Sequence, residues 1–131
     1  MESKKKILLV DDEPDFVELI KHRLEANDYQ VVAAINGKAA LDTLGREKFD
    51  ALLLDILMPE LDGLEVLQAI RETDKELPVF MLTAYSDKPK FKRANELGAS
   101  GYIVKTSDLQ KEIENITSIL RLADKYRPTG K

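Results

Sequence analysis

Ala51-Leu52-Leu53-Leu54-Asp55-Ile56-Leu57-Met58-Pro59 is the stretch on which the reading of this chain turns. Four successive apolar residues without polar alternation make a strand buried on both faces, as in a parallel sheet. The run stops at one carboxylate, and Pro59 has no amide hydrogen with which to continue a strand ladder. An aspartate at the carboxyl end of such a strand stands where open α/β sheets place their ligands. A second acidic group, Asp11-Asp12-Glu13, follows Ile7-Leu8-Leu9-Val10 in the same position.

Outward from that strand, the chain alternates between the two periodicities. Lys6 to Val10 reads as the first strand, Gln30 to Ala34 as the second, Ala51 to Leu54 as the third and Val79 to Leu82 as the fourth, with Ile103 and Val104 centring a fifth. Pro14 suits a first helical position, and Phe16, Val17, Ile20 and Leu24 form one stripe behind it. Asn36-Gly37 reads as a turn before a short helix of Ala40, Leu41 and Leu44 that Gly45 closes. Leu64, Leu67 and Ile70 give the third helix after a Pro59–Gly63 turn. The fourth spans Lys90 to Leu97 with Gly98 as its stop. The last helix runs from Asp108 to Tyr126, with Ser107 and Gln110 as a capping pair. Leu109, Ile113, Ile116, Leu120 and Ala123 are its stripe, with Ile119, Leu122 and Tyr126 off it.

Five strands alternating with five helices imply an α/β protein: a three-layer, doubly wound (βα)5 sandwich with right-handed crossovers. The expected division is one domain over residues 1–126 and a short polar tail at 127–131. The alternation leaves two strand orders open, both with the first and third strands near a reversal point.

Composition narrows the function. The 131 residues carry 24 acids against 20 bases, a net charge of −4, the wrong sign for direct nucleic-acid binding. No cysteine is present, so thiol chemistry and zinc–thiolate sites are excluded. The apolar runs are strand-sized, which fits neither a signal peptide nor a membrane span; a cytoplasmic location is expected. His22 faces away from its helix stripe, and Lys88, Lys90, Lys92 and Arg93 read as a solvated face.

In the 2-1-3-4-5 order, Asp11, Asp12 and Asp55 converge. Crowded carboxylates repel unless a cation joins them, and hard oxygen donors without His or Cys point to Mg2+. The fourth strand ends in Thr83-Ala84 and the fifth in Lys105, which adds a hydroxyl and a cation to the same edge. That inventory suits phosphoryl transfer, with Asp55 as nucleophile because Asp11 and Asp12 are better placed to hold metal.

These residues carry a resemblance. Leu9-Val10-Asp11-Asp12-Glu13, Leu54-Asp55-Ile56-Leu57-Met58-Pro59 with Asp62-Gly63, Leu82-Thr83-Ala84 and Gly101-Tyr102-Ile103-Val104-Lys105 are similar to the motifs of the receiver domain of two-component response regulators, the CheY-like superfamily. The resemblance covers Lys6 to about Tyr126 and implies the flavodoxin-like 2-1-3-4-5 order. It implies that Asp55 accepts phosphate from a sensor histidine kinase or phosphotransfer protein, and that the domain is no enzyme beyond its own phosphotransfer and slow autodephosphorylation. Asp12, Asp55 and the Leu57 backbone carbonyl would ligate Mg2+, with Asp11 acting largely through water. Thr83 would move to the phosphoryl group and Tyr102 would turn inward, switching a face of helix four, strand five and helix five. Leu57 and Tyr85 would tune access of water to the acyl phosphate. Partners implied are a downstream protein or output domain, with the chain a monomer or a phosphorylation-dependent dimer.

One departure stands out: Thr106 follows Lys105 where receivers carry Pro, so a trans bond and a rearranged loop are expected, with the Lys105 ammonium still within reach of Asp55. Two alternatives share part of the pattern. A haloacid-dehalogenase-type phosphohydrolase needs a second Asp at position 57, where this chain has Leu57. A pseudo-receiver, binding partners without phosphorylation, commonly lacks one of the site residues present here.

Overall fold

The computed structural model describes residues 5–58, 61–83, 88–105 and 109–126. Strands β1 (Lys5–Val10), β2 (Tyr29–Ala34), β3 (Ala51–Asp55), β4 (Val79–Thr83) and β5 (Gly101–Val104) alternate with helices α1 (Pro14–Ala26), α2 (Gly37–Arg46), α3 (Gly63–Thr73), α4 (Lys88–Glu96) and α5 (Leu109–Tyr126). All strand pairs are parallel, in the order β2-β1-β3-β4-β5. This is the doubly wound, flavodoxin-like α/β sandwich, and it resolves the two orders that alternation alone allowed. None of the described helices is long and apolar enough to cross a membrane.

Burial follows from strand position. Every residue of β3 and β4 is buried, because both faces of a central strand are covered. Edge strand β2 is less covered, with only Val31 and Ala34 buried, one on each face. Side-chain parity divides the core in two. Leu8, Val10, Leu52, Leu54, Val79 and Met81 face one way, against Ala40, Val66, Leu67, Ile70 and Ala94 of α2, α3 and α4. Ile7, Leu9, Leu53, Phe80, Leu82 and Ile103 face the other, against Val17, Ile20 and Leu24 of α1 and Ile113, Ile116 and Leu120 of α5.

Local chemistry sets the helix ends. Asn36 is the N-cap of α2 rather than part of a free turn, its side chain accepting from the Ala39 amide at 2.7 Å. Gly45 does not close α2; the helix continues through it to Arg46, and the Glu47 amide still donates to the Thr43 carbonyl. Asp62 and Glu65 form a reciprocal capping box at the start of α3. Gly98 ends α4 at φ +91°, with the Ala99 amide on the Ala94 carbonyl and the Gly98 amide on the Asn95 carbonyl, the paired bonds of a Schellman motif. Ile119, off the expected stripe of α5, nonetheless packs against the α1–α5 core. The Ser107 cap and the bond between Lys105 and Thr106 fall outside the described residues.

Candidate functional site

Parallel register assembles the site. Val10 pairs with Leu54, so Asp11 and Asp55 leave adjacent strands at the same level. Asp11 is anchored from both sides: its amide donates to the Ala34 carbonyl at 3.2 Å, and its Oδ1 accepts from the Glu13 amide at 2.9 Å. Asp55 Oδ1 accepts from the Leu57 amide at 3.2 Å. Asp11 is fully buried and Asp55 is 4% exposed, while Asp12 opens further to solvent. One carboxylate oxygen from each of Asp11, Asp12 and Asp55 lies within 4.8 Å of the other two.

Lys105 closes this cluster from β5. Its amide donates to the Thr83 carbonyl at 2.7 Å, extending the β4–β5 ladder beyond the last strand residue. Its ammonium lies 2.6 Å from Asp11 Oδ2, 2.9 Å from Glu13 Oε1 and 3.5 Å from Asp55 Oδ2, over the Phe16 ring at 4.4 Å. Burial pushes the Asp55 carboxyl up to about 6, and the Asp11 charge adds to that. Burial raises Asp11 too, against the lowering effect of Lys105. For Lys105 burial works against the charge, but its bonds to Asp11 and Glu13 outweigh it, and the ammonium is held above the ordinary lysine range.

The other expected residues divide by parity. Thr83 is buried at the end of β4, on the Met81 side of the strand, the α4 side of the sheet. Tyr102 shares that side: its ring lies 4.9 Å from Phe91 of α4, and its hydroxyl donates to the Phe91 carbonyl at 2.8 Å. Thus the ionic cluster and the Thr83–Tyr102 pair sit on opposite parities of one strand edge. Leu57 is 43% exposed beside Asp55. Tyr85 lies outside the described residues.

The donor set fits a hard divalent cation. Three carboxylates meet without any His or Cys, and buried Asp11 Oδ2 has no aligned hydrogen-bond donor, since its contact with Lys105 is an ion pair only. Two residues carry more than their sequence pattern indicated. Glu13 stood in the acidic triplet but takes up the lysine instead, and Phe16, placed on the core stripe of its helix, forms the floor beneath the ammonium. Their places on either side of Pro14, at the start of α1, were the available signal.

Comparison with known proteins agrees with this geometry. The family model described as response regulator receiver domain matches residues 7–117. The chain is 41% identical over 126 residues to a probable transcriptional regulator, ycf27, of Guillardia theta, covering 95% of this chain and 49% of that one. It is 36% identical over 126 residues to the alkaline phosphatase synthesis transcriptional regulatory protein PhoP of Bacillus subtilis, covering 96% and 52%. The chain therefore spans about half the length of these curated relatives. Among solved structures, a CheY-like receiver domain protein from Methanospirillum hungatei superposes with a TM-score of 0.84 at 28% identity, covering 94% of this chain and 98% of that one. The response regulator TrrA of Thermotoga maritima, solved in complex with Mg(2+)-BeF, gives 0.77 at 36% identity, covering 88% and 98%. The family model spans most of the chain, the relatives exceed 30% identity, and the parallel sheet carries its carboxylates and lysine on one edge: this protein belongs to the response regulator receiver domain family of two-component systems.

Proposed function

We propose that the domain accepts a phosphoryl group on Asp55 from the phosphohistidine of a sensor histidine kinase or phosphotransfer protein. The observation that carries this reading is the convergence of Asp11, Asp12 and Asp55 within 4.8 Å, with the Lys105 ammonium 3.5 Å from Asp55 Oδ2. An Asp55 carboxylate oxygen attacks phosphorus; the P–N bond to the donor imidazole breaks as the P–O bond forms, and the imidazole leaves with the electron pair. Asp11, Asp12, Asp55 and the Leu57 carbonyl are the residues to hold Mg2+, which when bound neutralises charge on the phosphoryl oxygens. Lys105 offers a second, fixed cation to those oxygens, and Thr83 a hydroxyl donor. Burial of Asp55 keeps bulk water from the acyl phosphate, which supports an accumulating signal rather than rapid turnover.

Readout follows from the parity of the site. A phosphoryl group that draws in Thr83 empties space on the α4 side, where Tyr102 stands against Phe91, so the face of α4, β5 and α5 responds. The partner reading that face is an output domain of the transcription-regulating kind named among the relatives, or a separate protein, in the cytoplasm where kinase and target meet. The same face serves a phosphorylation-dependent dimer.

Incubation with a small phosphodonor and Mg2+ tests the reading. One stable phosphate per chain, absent in Asp55→Asn, supports it. Multiple turnover would favour a haloacid-dehalogenase-type hydrolase, and no modification a phosphorylation-independent binding module.

A further inference from the structure

Lys105 divides its ammonium unevenly between the two walls of the site. On the α1 wall stand Asp11 Oδ2 at 2.6 Å and Glu13 Oε1 at 2.9 Å, above the Phe16 ring at 4.4 Å. On the β3 wall, among the described residues, stands Asp55 Oδ2 alone, at 3.5 Å. The ammonium donates hydrogen bonds to Glu13 Oε1 and Asp55 Oδ2 and is ion-paired with Asp11 Oδ2, so three carboxylates already crowd it. A phosphoryl oxygen arriving at Asp55 therefore competes with these carboxylates for the ammonium.

The partner most easily displaced is Glu13. Asp11 is fully buried and cannot turn to water, whereas the Glu13 side chain is 64% exposed and loses little on release. Glu13 is nonetheless delivered to this place by its backbone: its amide is bonded to Asp11 Oδ1, and Pro14 starts the helix immediately after it. The carboxylate is thus fixed at its root and free at its tip. That combination makes a releasable restraint.

We propose that Glu13 is a positioning residue for phosphoryl transfer, holding the Lys105 ammonium towards α1 at rest and yielding it to Asp55 and the incoming phosphoryl group. This rests on the phosphoacceptor reading of Asp55. Glu13 touches neither the attacking oxygen nor phosphorus; it acts through the lysine. Loss of its charge removes one of the two carboxylates drawing the ammonium away from Asp55, so the lysine engages the reacting oxygens sooner. Because the contact is exposed at its Glu13 end, salt screens it.

The test is the rate of Asp55 phosphorylation by acetyl phosphate at saturating Mg2+, where the acetyl P–O bond breaks, acetate leaves and the Asp55 O–P bond forms. At low ionic strength Glu13→Gln phosphorylates ~2- to 5-fold faster than the unsubstituted chain, the range an exposed ion pair commands. Raising the salt narrows this gap, because the pair is already weakened in the unsubstituted chain. Glu13→Asp, which keeps the charge, stays nearer the unsubstituted rate. A Glu13→Gln rate equal to or below that of the unsubstituted chain, or a gap indifferent to salt, overturns the proposal. Absence of phosphate on the unsubstituted chain instead overturns the phosphoacceptor reading itself.

Discussion

A Cβ added to Gly63 would sit 2.8 Å from Ile56 Cα and inside the van der Waals shell of the Asp55 carbonyl oxygen. The start of α3 is thereby pressed against the backbone of the residue at the centre of the site, with the Gly63 amide donating to the Ile56 carbonyl at 2.9 Å. Gly63→Ala must push these segments apart and is expected to cost about 3 kcal/mol or more in urea unfolding. Gly45→Ala is the opposite case. Nothing lies within 4 Å of its Cβ, and it sits in α2, so the substitution should stabilise by about 0.5–1 kcal/mol.

Burial of Asp55 predicts a pH dependence with a definite sign. Its carboxyl is raised from 3.8 to about 6 in the folded state, so between those values the folded chain binds more protons than the unfolded one. Its contribution therefore becomes more destabilising as pH rises through that window. In metal-free buffer, the stability of Asp55→Asn relative to the unsubstituted chain should grow from pH 4 to pH 6.5, by on the order of 2 kcal/mol. Unfolding curves at both ends of the window would contradict this if the difference stayed constant or reversed.

Mg2+ should relieve the same repulsion. Millimolar Mg2+ is expected to raise the melting temperature, with a gain of about 2.7 kcal/mol when the ion stands a hundredfold above its Kd. Asp12→Asn removes a carboxylate on the open side of the cluster and should abolish most of that rise. Asp62→Ala should lower stability by about 1 kcal/mol through loss of the α3 cap while leaving the Mg2+ response intact. Differential scanning with and without EDTA separates the two effects.

Arg71 ties α3 to the end of α4. Its Nε and Nη2 both donate to the Gly98 carbonyl, at 3.1 and 2.8 Å, and Nη1 donates to the Asp74 carbonyl at 2.9 Å. Arg71→Leu strands carbonyls at two helix ends and should cost about 1–3 kcal/mol. Hydrogen exchange should accelerate first in α4 rather than in β3 or β4.

Leu57 stands half exposed beside Asp55, and we propose that it forms an apolar barrier to water attacking an acyl phosphate there. Leu57→Asn, which can orient a water there, is expected to hasten loss of phosphate severalfold. An unchanged decay rate after removal of donor would show that the leucine is surface only.

How much of this was legible beforehand depends on where the information lay. Ala51 to Asp55 announced a doubly covered strand because no half-exposed strand tolerates such a run. Gly98 was readable as a stop because α4 ends there in a left-handed turn that favours glycine. Gly45 misled for the complementary reason: glycine permits a helix end but does not compel one, and the helix ran on through it. Asp62 and Glu65 had the spacing of a capping box, but Asp62 fell inside the stretch read as a Pro59–Gly63 turn. Ile119 looked peripheral on a straight helical wheel, yet it reaches the α1–α5 core.

The sequence by itself determined the alternation of strands and helices, the layered class, and the chemical kind of the site: acids at two strand ends, a hydroxyl and a lysine at two others. Those are local properties, set by periodicity, turn residues and the cost of burying charge, and they can be read along the chain. Periodicity left the place of β1 beside β3 open and the family resemblance supplied it; only the tertiary structure decided that Asp11 and Asp55 leave the sheet at one level, and that Lys105 turns towards Glu13 and Phe16 as well as Asp55. Strand order and the distances across it arise from contacts between residues tens of positions apart. No single segment carries that information, because the carboxylates that compete for one ammonium are neighbours only after the sheet has formed.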